Sequence, residues 1–268
     1  MFTIRHKTLS RKYVFAALRT IRIILLFPLA FLRLNLIFII SLLTVISGRI
    51  WLSLFGFSRK LQSTVMQIWG QSVLFICGIK VNKNKVPRES NFIIMPNHRS
   101  YIDIFIVAAY TPAAFVSKAE LMKWPLLKTG AKLTNLIFVS RADLKSLISA
   151  MCKIKSSVEN KIPVAVFPEG TTSRGPLTCH FKNGSFKIAA DAVIPVIPMA
   201  IHYTDDRDSW VDNDTFIGHF LQQMSKPLTK ALICYGEPVI NNNYKTLQKV
   251  IREEIDKMLI KLINKRES

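Results

Sequence analysis

The sequence predicts an α/β domain with a mixed, partly parallel central sheet flanked by helices, preceded by an N-terminal helical membrane anchor. Three observations predict it. From residue 92 onward, short apolar runs alternate with stretches of helical spacing. The two loops richest in chemistry each follow such a run, where α/β folds place their sites. The first third of the chain is basic, apolar and free of acids.

The elements justify themselves in order. Phe92–Met95 is apolar and ends at Pro96, a buried-strand signal. A helix is expected over Ile102–Ala109, and strands over Ala114–Val116 and Ile137–Val139. Leu144–Glu159 has helical spacing, and Val164–Phe167 is a β-branched run behind Pro163. Ser185–Asp191 reads as a short helix, and Val193–Ile201 and Ala231–Tyr235 as strands. Asn243–Lys265 closes the chain as an amphipathic helix, with Leu247, Ile251, Ile255, Met258 and Leu262 along one face. The polar, Pro-containing stretch Lys80–Ser90 is the expected boundary between an anchor over 1–80 and an α/β domain over 81–268.

The anchor follows from charge and hydropathy together. The 268 residues carry 37 Lys+Arg against 17 Asp+Glu, a net charge of +20, yet half of them are hydrophobic. Residues 1–88 hold 14 of the basic residues and no acid, and the first acid is Glu89. Disordered tails are too polar for this composition. A nucleic-acid binder would spread its basic residues on a folded face interleaved with aromatics. Here they crowd around a greasy segment, which points to an anionic membrane surface and not to nucleic acid. From Ile23 to Ser47 the only charge is Arg33. As a helix these 25 residues reach about 37 Å, more than the roughly 30 Å of a hydrocarbon core. Pro28, Arg33 and Asn35 interrupt it, and both flanks are basic. The favoured expectation is a bent, monotopic helical pair that dips into one leaflet, its Arg side chains snorkelling, with both ends on the cytoplasmic face of a bacterial inner membrane. A single span and a buried helix are the alternatives.

The first chemical loop is Pro96-Asn97-His98-Arg99-Ser100-Tyr101-Ile102-Asp103. A histidine stands at the mouth of a helix with an aspartate five residues on. The carboxylate can reach back about one turn, hold one ring N–H and leave the other nitrogen to take a proton from a hydroxyl. That is triad logic without a protein nucleophile, suited to a substrate that brings its own hydroxyl. The competing reading is a capping box over Ser100–Asp103 with Asn97 as a cap. The second loop, Phe167-Pro168-Glu169-Gly170-Thr171-Thr172-Ser173-Arg174, sets an acid, three hydroxyls and a guanidinium at a strand end, with Gly170 to permit a sharp turn. Capping alone needs neither Glu169 nor Arg174.

Together NHRSYID and FPEGTTSR resemble the N-H-x(4)-D and F-P-E-G-T-x-S-R motifs of the glycerolipid acyltransferases. Ile137–Arg141 resembles the block of that family that ends in a phosphate-binding arginine, and Val193–Pro198 its apolar V-P-V-x-P block. The resemblance covers about residues 75–240, with the four in order. It implies that His98, oriented by Asp103, deprotonates the sn-2 hydroxyl of lysophosphatidate for attack on an acyl thioester. Arg141 would hold the phosphate through its bidentate fork. Glu169, Gly170, Thr171, Thr172, Ser173 and Arg174 would shape the glycerol-phosphate pocket, with Lys182 a further phosphate candidate. Asn97 or backbone N–H groups would stabilise the oxyanion. No metal or cofactor is implied; acyl-CoA or acyl-carrier protein serves as co-substrate, and membrane lipid is the other partner. A lyso-ornithine lipid acceptor and a non-catalytic lipid-binding protein are the competing functions.

Other residues carry bland expectations. Cys77, Cys152, Cys179 and Cys234 form no metal or disulfide pattern. The remaining histidines read as surface or satisfied, and the acids around Arg207 as a solvated loop.

Overall fold

The computed structural model describes residues 2–87, 91–123, 125–140, 143–211 and 214–267. The order is α1 (Phe2–Phe55), α2 (Arg59–Ile76), β1 (Ile79–Lys83), β2 (Ile93–Pro96), α3 (Ile102–Tyr110), β3 (Ala114–Lys118), α4 (Pro125–Thr134), β4 (Ile137–Val139), α5 (Leu144–Glu159), β5 (Val164–Ala165), α6 (Gly184–Asp191), β6 (Val196–Tyr203), α7 (Phe216–Met224), β7 (Thr229–Tyr235) and α8 (Tyr244–Glu267).

The strands form one seven-stranded sheet in the order β1-β7-β6-β2-β5-β3-β4. Neighbours run parallel except β6 and β7, which are antiparallel, so the expected mixed sheet is what the chain builds. The central strand β2 is buried on both faces, as parallel strands flanked by helices are. Ile94 points into the layer of α1, α2, α3 and α7. Ile93 and Met95 point into the layer of α5, α6 and α8. The predicted stripe of α8 is the buried one: Leu247, Ile251, Ile255 and Met258 lie in that second layer.

Three elements were not legible as elements. β1 lies in the stretch read as a polar boundary; its sequence IKVNK offers only two apolar residues, and its strand identity comes from pairing with β7. α4 carries a central Gly130 that masks its helical pattern. α7 starts at the cap Thr215, whose hydroxyl accepts from Gly218 N at 3.2 Å. β6 begins at Val196 rather than Val193, because Val193 turns the chain with φ +52°.

The N-terminal region differs from expectation. α1 is one continuous helix of 54 residues, about 81 Å long, and Pro28 lies inside it without ending it. No reversal occurs between Ile23 and Ser47. The chain turns back at Gly56–Ser58 instead, and the helical pair is α1 with α2. α2 belongs to the core: Met66, Val73 and Leu74 pack with Ile106 and Ala109 of α3. The approach is close enough that a Cβ on Gly70 would come within 2.6 Å of Ala109 N. Arg33 does not snorkel. It is buried against the end of α7, donating to Met224 O (3.0 Å), Lys226 O (2.5 Å) and Pro227 O (3.2 Å). Carbonyls that the end of a helix leaves unpaired are natural acceptors for a guanidinium, which explains an arginine inside an apolar run. The same side of α1 buries Ala30 and Ser41, the latter accepting from Trp69 Nε1 at 2.9 Å. The opposite side, from Phe27 to Phe55, is a row of exposed Phe, Leu and Ile.

Candidate active site

Three adjacent parallel strands, β6, β2 and β5, run toward one edge of the sheet, β6 reaching past the end of β2 to Tyr203. At that edge lie Tyr203, the His98 loop and the Phe167–Arg174 loop. The topology thus joins two loops some 70 residues apart in sequence at the carboxyl edge of the sheet.

The His98–Asp103 pair forms as expected. His98 Nδ1 lies 2.8 Å from Asp103 Oδ2. A carboxylate accepts, so Nδ1 carries the proton and the neutral ring presents Nε2 on its far side as a proton acceptor. The ring is stacked on Phe167, with centroids 4.0 Å apart, which sets its plane. The side chain keeps 18% of its surface exposed, while Asp103 is wholly buried. Asp103 also does what a capping residue would: Oδ2 accepts from Arg99 N (2.7 Å) and Ser100 N (2.9 Å). Capping and orientation of the histidine are therefore one arrangement, not rivals.

The other oxygen of Asp103 has a partner that the sequence did not announce. Tyr203, at the end of β6, donates to Oδ1 at 2.6 Å. Burial beside the carboxylate pushes this phenol well above its ordinary value, so it remains a donor at neutral pH.

The second loop braces the first. Glu169 Oε1 accepts from His98 N (2.8 Å), and Oε2 from Ser173 Oγ (3.1 Å) and Cys179 N (2.9 Å). Ser173 N donates to His98 O at 2.9 Å. Glu169 and Ser173 are buried, and their hydrogen bonds hold the histidine loop in place. Arg99, which sequence reasoning passed over, completes the brace. Its guanidinium donates to Ser173 O and Oγ and to Pro176 O and Leu177 O. Burial lowers its affinity for the proton against the opposing pull of Glu169 and Asp103; a guanidinium nonetheless stays charged at neutral pH.

Asn97 is engaged with the sheet. It is buried, and both ends of its amide are taken by Ile201: Nδ2 donates to the carbonyl (3.0 Å) and Oδ1 accepts from the N–H (2.7 Å). It extends the β2–β6 ladder by one rung, with one Nδ2 hydrogen and Oδ1 committed to β6. Gly170 has φ +68°, the turn that favours glycine. Thr171, Thr172 and Arg174 remain at the surface of the loop, and Arg174 Nη2 lies 3.5 Å from Asp214 Oδ2. Lys182 is exposed, its backbone N–H on Pro168 O at 2.8 Å. Arg141 lies outside the described residues, directly after β4 and Ser140.

An aromatic wall adjoins the site. Tyr101 packs edge-on against Phe216 and Trp210, with centroids 5.4 and 6.1 Å away. His219 is satisfied, as expected of it. Its Nε2 faces Arg207 O at 3.2 Å, so the proton sits there, and Nδ1 accepts from Tyr101 Oη at 3.3 Å. Burial lowers its pKa and keeps it neutral.

Comparison with known proteins matches this architecture. Residues 78–202, which contain both loops, match the family model described as Acyltransferase. The 1-acyl-sn-glycerol-3-phosphate acyltransferase of Borreliella burgdorferi is 31% identical over 138 residues, covering 50% of this chain and 55% of that protein. Its counterpart in Neisseria gonorrhoeae is 30% identical over 132 residues, covering 48% of this chain and 51% of that protein. The chain thus spans about half the length of these two relatives. The lyso-ornithine lipid O-acyltransferase of Rhizobium meliloti is 25% identical over 213 residues, covering 71% of this chain and 73% of that protein. Among solved structures, the 1-acyl-sn-glycerophosphate (LPA) acyltransferase PlsC from Thermotoga maritima superposes with a TM-score of 0.68 at 25% identity, covering 91% of this chain and 97% of that one. The likeness to the acyltransferase family lies in residues 78–202, the part of the α/β domain that joins the His98 loop to the Phe167–Arg174 loop.

Proposed function

We propose that this protein transfers a fatty acyl group from a thioester to the sn-2 hydroxyl of 1-acyl-glycerol-3-phosphate, giving phosphatidic acid for phospholipid synthesis. The observation that carries the reading is His98, partly exposed and held at Nδ1 by the buried carboxylate of Asp103. Nε2 takes the proton of the acceptor hydroxyl as its oxygen attacks the thioester carbonyl. Asp103 stabilises the imidazolium that results. Collapse of the tetrahedral intermediate breaks the carbon–sulfur bond, and His98 returns the proton to the departing thiolate. The names of the relatives support the acceptor. Thr171, Thr172 and Arg174, with Arg141 and Lys182, are the groups assigned to its glycerol-phosphate end. Acyl-CoA or acyl-carrier protein is the donor. The exposed apolar side of α1, opposite the side packed on the domain, supports a monotopic seat on the cytoplasmic face of a bacterial inner membrane. A helix held along the domain from Ala30 to Ser41 offers lipid one flank, which fits lying in a leaflet better than crossing it.

A lyso-ornithine lipid acceptor is the second reading, favoured by the relative of that activity that covers the larger share of both chains. The test is thiol release by membranes containing the protein, with lysophosphatidate and with lyso-ornithine lipid offered separately. Turnover of lysophosphatidate alone supports the first reading, and of lyso-ornithine lipid alone the second. His98→Ala should cut turnover by roughly 10²–10⁴-fold with the fold retained. A folded His98→Ala protein with near-normal turnover ends the mechanism.

A further inference from the structure

The tip of α7 carries an apolar surface that the chemistry above leaves unused. Ile217 is 71% exposed and Phe216 45%. Leu177, on the turn after the second loop, is 41% exposed. Contacts place Leu177 and Phe216, the neighbour of Ile217, at the mouth of the His98 site. Arg99 Nη2 holds Leu177 O at 3.4 Å. Arg174 meets Asp214, two residues before Phe216. Phe216 packs edge-on against Tyr101, three residues beyond His98. The far end of α7 is fixed to the anchor helix, because Arg33 of α1 donates to Met224 O and Lys226 O. A rigid helix of nine residues, about 13 Å long, therefore runs from the apolar helix α1 to the mouth of the site.

We propose that the Phe216–Ile217 tip, with Leu177, seats in the lipid leaflet, and that the acceptor lysolipid passes from the leaflet to His98 along the Tyr101–Phe216 wall. Exposed Phe and Ile at a helix start beside a reaction site gain nothing from water and gain from an apolar phase. The far end of α7 is tied to α1 through Arg33, so the tip keeps a fixed position relative to the apolar helix. Arg174, exposed at the same rim, offers a cation to the phosphates of an anionic leaflet. The identity of the lysolipid rests on the acyl-transfer reading above; the seat itself rests on exposure and geometry.

The experiment uses the full-length protein with vesicles of phosphatidylcholine and phosphatidylglycerol. Two acceptors are compared: long-chain lysophosphatidate held in the vesicles, and a short-chain lysophosphatidate free in solution. Ile217→Glu should lower the ratio of the two kcat/KM values about tenfold or more, since a carboxylate replaces an apolar group at the leaflet edge. Ile217→Trp should keep the ratio. An unchanged ratio in Ile217→Glu overturns the proposal, and so does an equal fall on both acceptors. A second measurement needs no turnover: phospholipids brominated on their acyl chains should quench the fluorescence added by Ile217→Trp beyond the quenching of the parent protein. Absence of that extra quenching overturns the seat. Extra quenching with no turnover of either acceptor by the parent protein supports the seat and refutes the lysophosphatidate reading instead.

Discussion

Tyr203→Phe isolates the least visible part of the site. The change removes one hydroxyl and keeps the ring, so packing at the end of β6 is preserved. Asp103 Oδ1 loses the donor at 2.6 Å, while Oδ2 keeps Arg99 N, Ser100 N and His98. A hydrogen bond to a charged group contributes about 1.5–3 kcal/mol, and a wholly buried carboxylate has no water to replace it. Part of that loss falls on folding and part on the alignment of His98. We expect kcat to drop about tenfold, equivalent to about 1.4 kcal/mol of barrier. KM for the acceptor should stay within about twofold, because Tyr203 is buried beneath Asp103 and touches no substrate. The alkaline limb of stability supplies a second readout. The folded state raises the affinity of Tyr203 for its proton. Its contribution is therefore complete below the unfolded value of about 10 and is lost as pH rises above it. In that range each such tyrosine adds a fall of about 1.4 kcal/mol per pH unit. Burial raises Tyr101 and Tyr235 as well, so Tyr203→Phe should remove one share of the slope and leave theirs. Urea melts from pH 9 to 11.5 measure it. Tyr235→Phe is the control: that phenol is buried on Thr111 Oγ1 at 2.9 Å, away from Asp103, and its loss should lower stability without lowering kcat. Wild-type kcat in Tyr203→Phe, or a change confined to KM, refutes the reasoning.

Two further perturbations separate bracing from contact. Glu169→Gln turns an amide N–H₂ toward His98 N or toward Ser173 and Cys179, which already donate; urea unfolding should show a loss of about 1–3 kcal/mol, and kcat should fall with it. Arg33→Leu leaves the carbonyls of Met224 and Lys226 without their donor; stability should drop by about 1–3 kcal/mol while membrane partitioning is kept or increased, whereas an arginine merely snorkelling to headgroups would show no loss of stability on replacement.

What the sequence made legible was local. The strand end at Pro96, the helix mouth at Asp103, and the turn at Gly170 are all written in a few consecutive residues, whereas β5 stops at Ala165, short of Phe167. So is the burial stripe of α8, because helical periodicity needs no partner to be seen. β1 needed β7 to become a strand. Arg33 looked like a liability inside an apolar run because its acceptors lie some 190 residues away, at the end of a helix the sequence did not reveal. Tyr203 was hidden for the same reason: it stands 100 residues beyond Asp103, in a strand whose apolar pattern says only that it is buried.

The same distinction decides how the polar residues of the second loop divide. Read along the chain, Glu169, Ser173 and Arg174 are three similar candidates for a substrate. In space, Glu169 and Ser173 face inward to His98 and Arg99, and their hydrogen-bonding capacity is used there. A buried group already engaged contributes to catalysis by holding the loop, since moving it to meet a ligand would leave its partners unsatisfied. Only Thr171, Thr172 and Arg174 keep exposed surface to meet an acceptor. Variants of the inward pair should therefore change kcat and stability together, and variants of the outward set should change acceptor KM alone. An outward variant that melts the protein, or an inward one that alters only KM, would reverse the division.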